Sequence, residues 1–100
     1  MTPDLFRTSL FADQPPAGLR PALEALWWAG KSAWDRAHAL VQDEAGAEAA
    51  WVHAHLHRVE GDLANASYWY KRVGRPVASG GLEEEWSAIV AALLAPDATP

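Results

Sequence analysis

The sequence predicts an all-α domain, and three observations carry that expectation. Apolar residues recur three and four positions apart along nearly the whole chain. Proline and glycine fall between those windows or at their ends. Half of the 100 residues are apolar and six are tryptophan, whose large rings can anchor a core that alanine-rich helices would leave thin. The expected architecture is a compact bundle of four main helices, arranged as two antiparallel hairpins with a closing helix, plus a short N-terminal one. One domain is expected over 1–100, with an N-terminal segment at 1–18, hairpins at 19–44 and 47–74, and the closing helix at 82–95.

Each element has its own signals. Thr2 before Pro3 suits an N-cap followed by proline at the first helical position, which predicts a short helix over 3–11. "ADQPPAG" then breaks the chain. Leu23, Leu26, Trp27 and Gly30 share a helical face, with Pro21 in the first turn where its missing N–H costs nothing. Ser32 is placed as N-cap of the next helix, with Asp35 completing a capping box, and Trp34, Ala37, Leu40 and Val41 form its face.

The third main helix is expected from Ala47 to Glu60, with Gly61 as its C-terminal cap. Asp62 opens the fourth, on which Leu63, Ala66, Tyr70 and Val73 form the core stripe. After the loop "GRPVASGG", Leu82, Trp86, Ile89 and Leu93 stripe the closing helix, and Glu83, Glu84 and Glu85 face the positive end of its dipole. A shift of 29 residues overlays the first hairpin on the second as an echo of apolar pattern: Leu23 and Trp27 fall on Val52 and Leu56, and Trp34 and Val41 on Leu63 and Tyr70.

Composition removes several function classes. A formal charge of −5 with scattered basic residues argues against nucleic acid as a partner. The densest basic group, Lys71, Arg72 and Arg75, could hold one anion but not a phosphate track. No cysteine is present, which excludes disulfides, thiolate chemistry and Cys-based zinc sites. No apolar run approaches the roughly 20 residues of a membrane helix, and the N-terminus lacks a secretory signal, so a cytoplasmic protein with no membrane partner is expected.

The stretch "EGDLANASYWYKRVG" resembles the second half of a tetratricopeptide or Sel1-like helical repeat. Gly61-Asp62 matches the turn, Ala66 the small packing residue, Trp69 and Tyr70 the aromatic pair, Lys71 and Arg72 the basic residues, and Gly74 the closing small residue. The first hairpin departs from the pattern, since Ser32 replaces the turn glycine and no aromatic pair follows Ala37. The resemblance implies protein–protein interaction.

The alternation in "WVHAHLHRVEGD" would align three histidines only on a strand. On a helix, at about 100° per residue, His53, His57 and Glu60 fall within roughly a 60° arc while His55 turns away toward Val52 and Val59. An i, i+4 histidine pair plus a carboxylate can bind a divalent metal, with His38 or Asp35 on the preceding helix as further donors. The His-Glu-x-x-His metalloprotease motif is absent, because Ala54 stands where the glutamate would be. The competing expectation is structural, with the imidazoles packed and hydrogen-bonded between helices.

A second candidate surface gathers Asn65, Tyr68 and Arg72 on the outer face of the fourth helix, an amide, a phenol and a guanidinium able to orient a peptide or polar ligand. Trp27 and Trp28 point about 100° apart, so they cannot both enter one core stripe. No nucleophile–base constellation or phosphate-cradling loop emerges, and "SGG" at 79–81 offers only a few N–H groups before a helix.

The function expected is therefore a non-catalytic interaction module for a protein or peptide partner, with self-association through tryptophan-rich surface as one form, and with no resident cofactor. The alternative is a small metal-dependent or His-based hydrolase or ligand-binding protein using His53, His57 and Glu60 with His38.

Overall fold

A computed structural model of the chain describes residues 1–95. Those residues form six α-helices and no strand: α1 Pro3–Ser9, α2 Pro21–Gly30, α3 Trp34–Val41, α4 Ala47–Glu60, α5 Leu63–Arg72 and α6 Leu82–Leu94. The two hairpins, α2–α3 and α4–α5, use all four main helices, so the closing helix is a further element rather than one of them. Among the described residues, no helix is long and apolar enough to cross a membrane.

Helix α4 is the axis of the molecule. It packs against α2, α3, α5 and α6, and Val52 to His57 are all buried. A helix enclosed on several sides has no solvent face along its middle, so even its polar positions are drawn inside. The main core gathers Leu26 and Trp27 of α2, Val52 and Leu56 of α4, and Trp86 and Ile89 of α6. Phe6 of α1 is fully buried against this core, and the indole of Trp27 donates to Ser9 Oγ at 3.1 Å, which ties the N-terminal segment down. Trp28 is left at the boundary, edge-on to Trp27 and covered by the Arg36 guanidinium. A smaller cluster of Ala54, Ala66 and Tyr70 joins α4 to α5, where two alanines let the helices approach closely.

Three helix ends share one geometry. At the end of α4, Gly61 has φ 86°, its N–H donates to Arg58 O, and the N–H of Asp62 donates to His57 O, the paired bonds of a Schellman cap. Gly74 closes α5 in the same way. Ser32 closes α2 likewise, at φ 61° and with the N–H of Ala33 bonded to Trp28 O. This corrects the expected role of Ser32: it sits in the left-handed position after α2, the N-cap position of α3 falls to Ala33, and no side chain caps that helix. Asp62 does cap α5, accepting from the N–H of Asn65 at 3.2 Å. Thr2 caps α1 as expected, although the helix ends at Ser9 rather than residue 11.

Two further positions depart from the expected stripes. Leu63 is 62% exposed, because its place in the first turn of α5 precedes the contact with α4 that Ala66 and Tyr70 make. Leu82 is also exposed at the start of α6, whereas Trp86, Ile89 and Leu93 are buried.

Candidate metal centre

Three imidazoles converge where the two hairpins meet. His38 comes from α3, and His53 and His57 come from successive turns of α4. One nitrogen from each lies within 4.8 Å of the other two. The Nε2 atoms of His38 and His53 are 3.0 Å apart, and the His53 and His57 rings stack at 4.8 Å between centroids.

The walls are aromatic. Trp34, one turn before His38, stacks on it at 4.7 Å and 10°, while its indole N–H donates to the carbonyl of Leu56 and pins α3 to α4. Trp69 of α5 stacks on His53 at 4.0 Å from the other side. These stacked faces hold the planes of the His38 and His53 rings.

Burial sets the protonation state. The His53 pKa is lowered to about 4, first by desolvation and then by the charges His38 and His57 would carry beside it. His38 is also held below the ordinary histidine value, chiefly by burial and then by His57, with Glu60 and Asp35 opposing. Both are therefore neutral at neutral pH, the form in which imidazole is a ligand. His57 donates through Nδ1 to Glu60 Oε1 at 2.6 Å, which leaves Nε2 as the nitrogen it can offer. Among the described residues, Nδ1 of His53 is the buried side-chain polar atom without a hydrogen-bond partner.

The donor set fits a first-row transition ion. Tetrahedral zinc with Zn–N bonds of about 2.0–2.1 Å places nitrogen atoms about 3.3 Å apart. The His38–His53 separation already approaches that value. Three imidazole nitrogens suit zinc, copper, nickel or cobalt rather than calcium or magnesium, which prefer oxygen.

The candidate residues divide accordingly. His53, His57 and His38 come together as three nitrogen donors, whereas Glu60 reaches His57 and orients it. Asp35 is exposed and is not among the clustered donors. A second grouping of His57, Glu60 and Asp62 exists, but its carboxylates are exposed and Asp62 is engaged in capping α5. On the outer face of α5, Arg72 bonds the hydroxyl of Tyr68 at 3.2 Å and lies over the Trp69 ring, while the Asn65 amide turns back to Asp62.

His55 turns away from the cluster, as its helical position requires, and enters a second polar group that no spacing in the sequence announces. Its Nδ1 lies 2.7 Å from Glu85 Oε1 of α6, which also accepts from Arg58 at 3.0 Å, while Tyr70 donates its hydroxyl to the other oxygen. The Glu85 side chain is only 8% exposed. Burial pushes its pKa upward, but the hydrogen bonds from His55, Tyr70 and Arg58 together outweigh that and hold it below the ordinary range. Tyr70 is pushed up, by burial first and by Glu85 second. No family model matches this chain, and neither curated proteins nor solved structures provided a significant match.

Proposed function

We propose that the chain is a small helical metal-binding protein whose His38, His53 and His57 hold one divalent transition-metal ion. The observation that carries this reading is the convergence of three buried or partly buried imidazoles, with one nitrogen of each within 4.8 Å of the other two. Metal binding would use the neutral rings directly, with Glu60 orienting His57 and the two tryptophans forming an apolar shell.

Calorimetric titration of chelator-treated protein with zinc tests the proposal. One equivalent should bind, and His53→Ala and His57→Ala should each abolish binding. Glu60→Gln should weaken it by about tenfold to a hundredfold, the usual effect of losing an orienting partner. An absence of saturable one-to-one binding would overturn the reading.

A second reading, an interaction module for a protein or peptide, is supported by α5. Tyr68 is 53% exposed and is held upright by Arg72, an aromatic–arginine pair of the kind that anchors interfaces. Asn65 lies a turn earlier on the same helix. Recovery of the same partner with Tyr68→Ala and Arg72→Ala as with the unaltered chain would remove this surface from consideration.

A further inference from the structure

A cavity of about 330 Å³ with Trp34 in its lining lies between the end of α2, the start of α3, the end of α4 and the start of α6. Its walls are Trp34, Leu56, Val59, Leu82 and Trp86, with His55 as the buried polar side chain among them. This is the small end of the size range for ligand pockets, and the composition matches their usual form: apolar walls and a few placed polar groups. Val59 and Leu82, two of the exposed large apolar side chains of the molecule, stand on this cavity.

The polar groups around it are nearly all engaged. The indole N–H of Trp34 donates to Leu56 O, and that of Trp86 to Leu26 O, so neither aromatic wall has a free donor. Glu83 is paired with Arg7, and Glu85, behind His55, with Arg58. No unpaired charge of either sign is therefore directed at a ligand among the described residues. Ser32 offers only an exposed hydroxyl at the rim.

His55 is the exception. Glu85 is a carboxylate with three donors around it and must accept from Nδ1, which fixes the proton there. With the proton on Nδ1, Nε2 is the ring nitrogen left to accept, and it makes no hydrogen bond among the described residues. We infer that this cavity binds a small neutral aromatic molecule bearing a hydroxyl or N–H, its ring between Trp34 and Trp86 and its donor on Nε2 of His55. An anion would meet the carboxylate of Glu83 with no free cation beside it, and a ligand without a donor would leave Nε2 unsatisfied.

The test is titration of the full chain with phenol and, separately, anisole at pH 8, followed by NMR at the indole N–H signals of Trp34 and Trp86. Phenol should shift both signals saturably, and anisole, which lacks the donor, should bind about fivefold more weakly or less. Val59→Trp fills the cavity from an exposed position and should remove phenol binding without unfolding the chain. The same phenol affinity is expected after chelator treatment, which separates this site from the histidine cluster. The inference is overturned by the absence of saturable shifts, by anisole matching phenol, by unchanged binding in Val59→Trp, or by loss of binding on chelation.

Discussion

The Nε2 atoms of His38 and His53 face each other at 3.0 Å across the junction of α3 and α4. Only one of them can carry the proton between them, and a charge on either ring repels the same charge on the other. Two helices from different hairpins thus meet through atoms that bond each other once and a metal ion equally well. The contact is the structural seam between the hairpins and also the centre of the proposed site.

Replacing His53 separates these two aspects. His53→Phe keeps an aromatic ring against Trp69 and removes the unpartnered buried nitrogen. The metal-free variant should stay within about 1 kcal/mol of the original, since removing the unpartnered nitrogen offsets the loss of the His38–His53 hydrogen bond. Zinc affinity should fall by more than the loss expected for Glu60→Gln. Denaturant unfolding and calorimetry on the same variant check both halves, and a His53→Phe protein less stable than the original by more than about 2 kcal/mol would show that the imidazole is structural.

Acid should destabilise the metal-free protein in two stages. The folded pKa of His53, about 4, lies below its ordinary value of 6.5. Between those values the unfolded chain takes up a proton that the folded chain refuses, so the stability present above pH 6.5 is lost as pH falls toward 4. Glu85 is also held below its ordinary value of 4.5, so its contribution is present above that value and lost as pH falls through the folded pKa. Both groups act in the same direction. Chemical denaturation at a series of pH values should show a decline beginning near 6.5, and His53→Phe should reduce the upper part of it, leaving the share that His38 contributes.

The sequence made the helices legible because their punctuation is local. Thr2-Pro3, Gly61 and Asp62 act within one turn, and each does in the fold what its residue type suggests. It also placed His53, His57 and Glu60 on one arc, since that follows from helical geometry alone. The meeting of His38 with His53 depends on how two hairpins pack, which no local spacing encodes. The three glutamates of α6 show the same limit. Glu83 pairs with Arg7 at the surface, while Glu85 is enclosed by His55, Arg58 and Tyr70 from two other helices. Their shared position in a first turn gives no sign of that difference; the apolar stripe of α6 does, because Glu85 adjoins Trp86 on the side turned toward α4.

Glu85→Gln should therefore be costly where Glu84→Gln is not. Glu85 balances the largely enclosed Arg58 guanidinium, whose side chain is 12% exposed, and accepts from three donors. Removing one member of a buried charge pair costs about 3–5 kcal/mol, whereas an exposed change away from any contact stays within about 0.5 kcal/mol. Thermal unfolding of the two variants gives the comparison. Equal transition temperatures would mean that the Glu85 group adds nothing to the attachment of α6.

Ser32 carries the last prediction. It occupies the left-handed conformation at the end of α2 that Gly61 and Gly74 occupy after α4 and α5, with the same pair of backbone bonds around it. A residue with a Cβ loses about 1–2 kcal/mol in that conformation, and glycine does not. Its hydroxyl caps nothing, because α3 has no side-chain cap. Ser32→Gly should accordingly stabilise the fold by about 1 kcal/mol, with part of the gain lost to the greater freedom of glycine in the unfolded chain. Gly61→Ser, the reverse exchange one hairpin later, should destabilise by a similar amount. Denaturation midpoints that move in opposite directions for the two variants support a common turn geometry. A Ser32→Gly protein no more stable than the original would instead assign the strained serine to the cavity it borders.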